Sequence, residues 1–205
     1  NDRINELPGT SFPEATVRVI GSKFTETGPL LITHWGLSGP AILKLSSVAA
    51  LHLNGCHYNF QIQINFSGQT AQALNEIIDQ LKKVNPKKLI KNYKTNQIPH
   101  RYWERLVQKL ELTETPFAEL TKKSQNRLIE ELTQALFQVT GKSTFKEEFV
   151  SAGGIDLSEI NFETMEAKRY PGLYLAGEVL DIDALTGGFN FQACWTAGWI
   201  ISEAI

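Results

Sequence analysis

Residues 57–66 alternate at strict period two, with Tyr58, Phe60, Ile62, Ile64 and Phe66 on one side and mostly polar side chains on the other. That pattern predicts a strand with one wet face. Residues 15–20 alternate apolar with polar or small residues and predict a second strand. Residues 29–33 read as a buried strand following a turn at Thr27-Gly28-Pro29. Residues 38–47 open as a helix, with Ser38 near the cap and Pro40 in the first turn. From residue 70 the period lengthens. Ala71, Leu74, Ile77, Ile78 and Leu81 fall on one helical face, as do Trp103, Leu106, Val107 and Leu110, and then Leu128, Ile129, Leu132, Leu136 and Phe137. Residues 86–93 predict a short basic helix and residues 117–120 one further turn, with breaks at 96–99 and 113–116. Strand patterns return at 145–150 and 173–176, and residues 191–205 close the chain as a helix.

The fold class is therefore α+β. A β-rich part at residues 1–69 and its return at 141–168 flank a helical subdomain at 70–140, and residues 169–205 form a separate strand–loop–helix. A buried strand leading into a helix ordinarily belongs to a parallel sheet, and these residues offer no parallel partners for it.

The bulk properties exclude several classes. A length of 205 residues, 42% hydrophobic and 20% charged, is that of one large or two small globular domains. A net charge of −2 argues against a general nucleic-acid binder and makes nucleic acid an unexpected partner. Cys56 and Cys194 lie far apart in apolar contexts, without metal-ligand spacing, and read as two buried thiols in a reducing cytoplasm. No metal site is expected: His52, His57 and His100 share no ligand spacing. Without a leader or an 18-residue apolar run, a cytoplasmic protein with no membrane segment is expected.

Chemistry concentrates near the end, in Gly172-Leu-Tyr-Leu-Ala-Gly-Glu-Val-Leu-Asp181 followed by Thr186-Gly-Gly-Phe-Asn-Phe-Gln192. This reads as a strand, a polar loop opening on an acid, and a glycine pair starting a helix. Gly177 lets the backbone approach a ligand, and Glu178 is placed to accept hydrogen bonds from ribityl hydroxyls. A helix N-terminus offers unpaired N–H groups and partial positive charge, suited to the edge of an isoalloxazine ring that becomes negative on reduction. Thr186, Gly187, Gly188, Phe189, Asn190 and Phe191 are the cofactor-binding candidates around that helix start. An ordinary strand–turn–helix with a solvated acid is the competing reading. The small residues Ala193, Thr196, Ala197 and Gly198 on the helix favour the flavin.

Three segments resemble the BaiN-type family of NAD(P)/FAD-dependent oxidoreductases, also described as putative aminoacetone oxidases. They are Gly28-Pro-Leu-Leu-Ile-Thr-His-Trp-Gly-Leu-Ser-Gly-Pro-Ala-Ile-Leu43, the pair Ser151-Ala-Gly-Gly-Ile155 and Thr164-Met-Glu-Ala-Lys168, and residues 172–198. The middle segment carries Ala152 and Ile155 where the family often has Thr and Val, and Ala167 where it often has Ser; no charged group is lost. The resemblance implies a β-barrel-like insert with a nested helical subdomain, followed by the C-terminal part of a two-part, Rossmann-like FAD-binding domain. It implies FAD as cofactor, NAD(P)H as donor, hydride transfer to a small-molecule substrate, and a bacterial source. It also implies an N-terminal half with a glycine-rich turn, which this chain would need as its partner. With Asn1 rather than Met at the start, these residues are expected to be a fragment, inactive alone.

Two further clusters have open readings. His34 beside Trp35, before Gly36 and Gly39, fits either a substrate pocket with His34 moving a proton or a structural turn. Gly153, Gly154 and Lys168 fit either a loop over the ring with a cation for an anionic group, or tight turns. Asp181 and Asp183 read as loop-orienting acids. Lys82, Lys83, Lys87, Lys88, Lys91 and Lys94 read as a solvated helix face, with docking of an acidic partner or nucleic acid as the lesser reading. Two other functions compete with the oxidoreductase: a non-catalytic interaction module using these lysines, and a flavoenzyme acting on RNA, ranked last on net charge.

Overall fold

The computed structural model describes residues 4, 6–142, 150–184 and 188–205. These fall into two compact units, one within residues 1–45 and 56–142, the other within 46–55 and 143–205.

The first unit is built on an open five-stranded antiparallel sheet with order β3-β2-β1-β4-β5. Its strands are β1 (Ser11–Val19), β2 (Thr25–Ile32), β3 (Leu37–Ser38), β4 (Phe60–Asn65) and β5 (Ala135–Val139). In β1, Phe12 and Ala15 are both buried although three residues apart, an odd spacing that a regular strand sends to opposite faces. A register shift between them, opposite β2, supplies the extra residue of a bulge.

That bulge corrects one expectation. Thr27-Gly28-Pro29 is not a turn but lies inside β2, with Thr27 opposite Thr16 and Gly28 opposite Ala15. Pro29 falls at the irregular step, where no ladder N–H is required. The strand expected at 57–66 begins only at Phe60, because His57 and Tyr58 adopt left-handed backbone, φ 51° and 55°, and turn the chain. Ser38 pairs with Leu31 in β3. The carbonyl of Gly39 opens α1 (Pro40–Val48), accepting from Leu43 N at 3.0 Å. Gly39 has φ +97° and touches β2 so closely that a Cβ would stand 2.9 Å from the Pro29 oxygen.

Helices α3 (Ala71–Val84), α4 (His100–Lys109) and α5 (Lys122–Thr133) form where the apolar spacing predicts them. Thr70 and Thr121 accept from the N3 amides of α3 and α5 as side-chain caps. α5 stops four residues earlier than the periodicity suggests. Residues 135–139 leave it as β5, burying Ala135 and Phe137 at period two and pairing with β4 from Ile64↔Ala135 to Phe60↔Val139. Residues 86–93 are not a helix beyond a single 3-10 turn at Ile90–Asn92. Before it the chain turns at Pro86–Lys88, closed by Lys88 N to Asn85 O at 3.1 Å, and does not continue as a helix because its backbone bonds to residues 115–118, including Phe117 N to Lys88 O and Ile90 N to Thr115 O, both 3.0 Å.

An aromatic core holds sheet and helices together. Phe12, Phe66 and Tyr102 meet with ring centroids 4.7–5.0 Å apart, and Phe137 adds an edge-on contact to Phe66. Full burial of each such ring is worth roughly 2–3 kcal/mol. Gln125, fully buried, donates to Asn75 and Asp79 of α3 and accepts from Lys82, so the α3–α5 contact carries a satisfied polar bridge.

The second unit contains α2 (Ala50–Gly55), the two-stranded pair β6 (Ile160–Asn161) and β7 (Glu166–Ala167), and α6 (Phe189–Ala204). Its core is Ile160, Met165, Leu180 and Ala197. Residues 173–176 do not form the buried strand expected of them. Tyr174 makes one bridge to Glu166, Leu173 is 44% exposed, and no second strand flanks the segment among the described residues. The strand expected at 145–150 falls mostly outside the described residues. Cys56 and Cys194 are half-buried rather than fully buried. Among the described residues no helix is long and apolar enough to cross a membrane.

Candidate functional site

The second unit brings together three of the segments that carry the chemical motifs. Residues 153–155 lie along the loop that follows Gly177. Ile155 N donates to Val179 O at 2.8 Å, and Asp181 N donates to Ile155 O at 3.1 Å, a parallel bridge between Ile155 and Leu180. Gly154 makes this approach possible: a Cβ there would overlap the Leu180 carbonyl carbon and stand 2.6 Å from the Leu180 oxygen and Asp181 nitrogen. Gly153 has a different reason to be glycine, a φ of +97° in open space.

Gly177 also has positive φ, +82°, and begins a 3-10 turn, Gly177–Val179, closed by Leu180 N to Gly177 O. The turn leaves Glu178 exposed, its carboxylate in solvent. Cys194 of α6 lies below Gly177, its Sγ 3.9 Å from where a Cβ would be. The sequence marks Cys194 only as a buried thiol, not as a neighbour of Gly177. Its signal was its spacing from Ala197 and Ile201, the α6 face that meets the core of this unit.

The first helical bond of α6 runs from Gln192 N to Gly188 O at 2.9 Å. The N–H groups of Phe189, Asn190 and Phe191 precede it and have no intrahelical partner. Asn190 fixes the approach to this helix start: its Oδ1 accepts from Ala184 N at 2.9 Å and its Nδ2 donates to Ala184 O at 3.3 Å. So the Asn190 side chain serves the loop, and only its backbone is offered outward. Gly188 stands at the cap; Thr186 and Gly187 lie outside the described residues. The opposite face of α6 carries Phe191, Trp195 and Trp199, each about two-thirds exposed, with the Phe191 and Trp195 rings stacked at 6.1 Å.

Lys168 spends one of its three donors on Ser158 O at 2.7 Å, and its backbone N donates to Glu159 O. Neighbouring groups are similarly engaged: Arg169 pairs with Glu159 at 2.9 Å, and Glu166 accepts from Gly172 N at 2.6 Å. The bond from Ser158 N holds the Asp156 carboxyl below the ordinary carboxylate range. Met165, with φ 61°, buries its side chain among the core residues.

His34 and Trp35 belong to the first unit. They form the tip of the β2–β3 hairpin, which Thr33 closes by donating its N–H and hydroxyl to Gly36 O at 2.8 and 3.1 Å. Both rings are exposed, 6.0 Å apart and inclined at 45°. Such a tip can present a proton-carrying imidazole and an aromatic surface to a ligand. Among the described residues, no three His, Cys, Asp or Glu side chains gather as a metal site.

Residues 1–150 match the HI0933-like protein barrel and H2TH domain. The chain is similar to the ribosomal RNA dihydrouridine synthase of Escherichia coli, 31% identical over 202 residues, 98% of this chain and 48% of that protein. The Haemophilus influenzae protein of the same name is 27% identical over 202 residues, with the same two coverages. The 3-dehydro-bile acid delta(4,6)-reductase of Clostridium scindens is 27% identical over 185 residues, 87% of this chain and 44% of that protein. The chain spans about half the length of the curated relatives it matches.

Proposed function

The chain belongs to the HI0933-like barrel and H2TH domain family, and we propose that it is part of a flavin-dependent reductase that saturates a C=C bond conjugated to a carbonyl, with a uridine of ribosomal RNA as substrate. The observation that carries this is the 31% identity to the Escherichia coli enzyme, which runs through 98% of the chain and so through both units. The names of the relatives share one chemistry. Dihydrouridine is uridine with two hydrogens added across C5=C6, a bond conjugated to the C4 carbonyl. A delta(4,6)-reductase of a 3-oxo steroid acid likewise acts on double bonds conjugated to a carbonyl. Such a reduction would add a hydride to the electron-poor carbon and a proton to its neighbour.

A bound FAD supplies the hydride chemistry, with NAD(P)H as the electron donor to the intact protein. The described residues fit one end of such a cofactor. Glu178, exposed on the Gly177 turn, would accept hydrogen bonds from ribityl hydroxyls. The N–H groups of Phe189, Asn190 and Phe191 and the positive end of the 16-residue α6 favour a ring edge bearing negative charge. Gly153 and Gly154 keep the backbone at residues 153–155 lean, and Lys168 keeps two donors for an anionic group. His34 is the proton-carrying candidate and Trp35 a stacking surface. In this reading residues 169–205 are the returning part of a Rossmann-like domain, whose N-terminal half would cover the exposed Phe191, Trp195 and Trp199. The protein works in the cytoplasm.

The Clostridium scindens relative favours a second reading, in which the substrate is a small conjugated ketone. One experiment separates the two. The full-length protein is purified, its visible spectrum recorded, and it is supplied with NADPH and either unmodified ribosomal RNA or a steroid dienone. Flavin bands and dihydrouridine detected by mass spectrometry support the RNA reading. Turnover of the dienone alone supports the second. Absence of flavin bands after FAD is added refutes both and leaves a non-catalytic interaction module.

A further inference from the structure

Basic residues are unevenly distributed along this chain. Residues 82–109 hold nine Lys or Arg and a single acid, Glu104, whereas the rest of the chain holds eleven basic and twenty-one acidic residues. The near-neutral total therefore hides a strongly positive stretch inside an acidic protein. A solvated helix face ordinarily mixes the two signs.

Some of these charges are neutralised or used locally. Lys91 pairs with Glu114 and Lys109 with Glu131, while Lys82 donates to Leu120 O and Gln125. Arg101 donates to the Glu6 carbonyl, which leaves its charge uncompensated. Lys87, Lys88 and Lys94 are exposed and make no side-chain hydrogen bond or ion pair among the described residues. Arg101 and Arg105 lie on the side of α4 opposite the buried Tyr102, Trp103, Leu106 and Val107, away from the Trp103 contact with Ile90, and are not part of this lysine group.

The lysines stand on a fixed frame. Pro86 O and Lys88 O accept from Ala118 N and Phe117 N, each at 3.0 Å, and Ile90 N donates to Thr115 O at 3.0 Å. The Trp103 indole donates to Ile90 O at 2.8 Å, and Ile90 is fully buried. Unpaired cations on an ordered backbone form a surface that meets a phosphate chain with little ordering cost.

The geometry points to Lys87, Lys88 and Lys94 as the surface on which ribosomal RNA docks through its phosphates. The inference rests on the reading of the intact protein as an enzyme acting on ribosomal RNA. Lys and Arg contacts to phosphate fix register and orientation but carry no base identity, so this surface positions the RNA and the choice of uridine lies elsewhere.

The test uses full-length protein, a ribosomal RNA fragment containing the target uridine, and filter binding at several salt concentrations. The triple variant K87A/K88A/K94A is compared with wild type and with the charge-preserving K87R/K88R/K94R. We expect the alanine variant to bind about tenfold more weakly at moderate salt and its log–log salt slope to fall by about 2, since each phosphate contact contributes about 0.7–0.9. The arginine variant keeps the wild-type slope. If wild type forms dihydrouridine while the alanine variant retains its affinity and slope, the docking surface is elsewhere and the proposed function stands. If wild type neither binds nor reduces the RNA, both fall. Competition by polyglutamate as effective as that by RNA also overturns the assignment, in favour of a face for an acidic protein.

Discussion

Gly153→Ala and Gly154→Ala change neighbouring glycines by the same methyl group, yet the structure assigns them different costs. At Gly154 the backbone is ordinary but the space is filled: the new Cβ meets the Leu180 carbonyl carbon and lies 2.6 Å from two further backbone atoms. Backbone cannot rotate aside as a side chain can, so residues 153–155 and 179–181 must separate. Separation breaks the bonds from Ile155 N to Val179 O and from Asp181 N to Ile155 O. Each is worth about 1 kcal/mol net, and overpacking adds about 1 kcal/mol or more, giving about 3 kcal/mol. At Gly153 nothing lies within 4 Å, but φ is +97°, so alanine costs about 1 kcal/mol of backbone conformation and leaves both bonds intact. Hydrogen exchange at the Ile155 and Asp181 amides reads the difference directly. Gly154→Ala should accelerate both on the order of a hundredfold, and Gly153→Ala about fivefold. An acceleration under threefold in Gly154→Ala, or a larger one in Gly153→Ala, would show that Gly154 does not hold residues 153–155 against the Gly177 loop.

Glu178→Gln in the full-length protein keeps the shape but removes the charge that accepts ribityl hydroxyls; a charge-assisted bond is worth about 1.5 kcal/mol or more, so flavin should bind about tenfold more weakly in a fluorescence titration. Gln125→Leu strips Lys82, Asn75 and Asp79 of their shared buried partner and should destabilise the first unit by about 2 kcal/mol in urea unfolding. The Gln125 bond, helped by Lys122, Lys82 and Lys83, holds the Asp79 carboxyl below its ordinary value, so its stabilisation is full above the unfolded pKa and is lost as pH falls through the lower folded one. In Gln125→Leu, NMR titration should find the Asp79 midpoint moved upward and that part of the acid dependence reduced. Trp103→Phe removes the indole donor to the buried Ile90 carbonyl, which keeps its bond from Tyr93 N, and should cost about 1 kcal/mol, seen as a lower urea midpoint.

Much of the first unit was legible because local pattern and tertiary need agree there. Two helices began at Thr70 and Pro99, where the sequence places them, whereas α5 begins at its Thr121 cap, ahead of the apolar stripe that marks it, and Ile62, Ile64 and Phe66 turned inward as their alternation predicts. The failures have one cause, pairing over long sequence distances. Pro29 reads as a turn residue until a bulge in β1 frees it from donating. Leu136 and Phe137 continue a helical stripe until β4 claims them as an edge strand. Residues 86–89 look helical until residues 115–118 take their backbone bonds. None of these partners lies within the window over which periodicity is read.

The candidate site was legible for a different reason, and only in part. Its glycines marked it in sequence, and the structure gives them structural work: Gly153 and Gly177 for left-handed backbone, Gly154 for close approach. The residues that touch a ligand in the proposed function are less conspicuous. They are three helix-start amides that any residue type could supply and one exposed carboxylate, Glu178. Backbone amides act through fixed dipoles and need no titrating side chain, so no residue type reports them. Asn190 illustrates the consequence. Its position in the motif suggests a ligand contact, whereas its side chain closes on Ala184 from both ends of the amide and ties Ala184 to the start of α6. The motif thus encodes the direction in which the amides of α6 point. The prediction that follows is positional: Asn190→Ala should weaken flavin binding in the full-length protein through a loosened loop, and Asn190→Asp, which can accept from Ala184 N but cannot donate to Ala184 O, should fall between alanine and wild type. Equal loss in both variants would instead make the Asn190 amide a direct ligand contact.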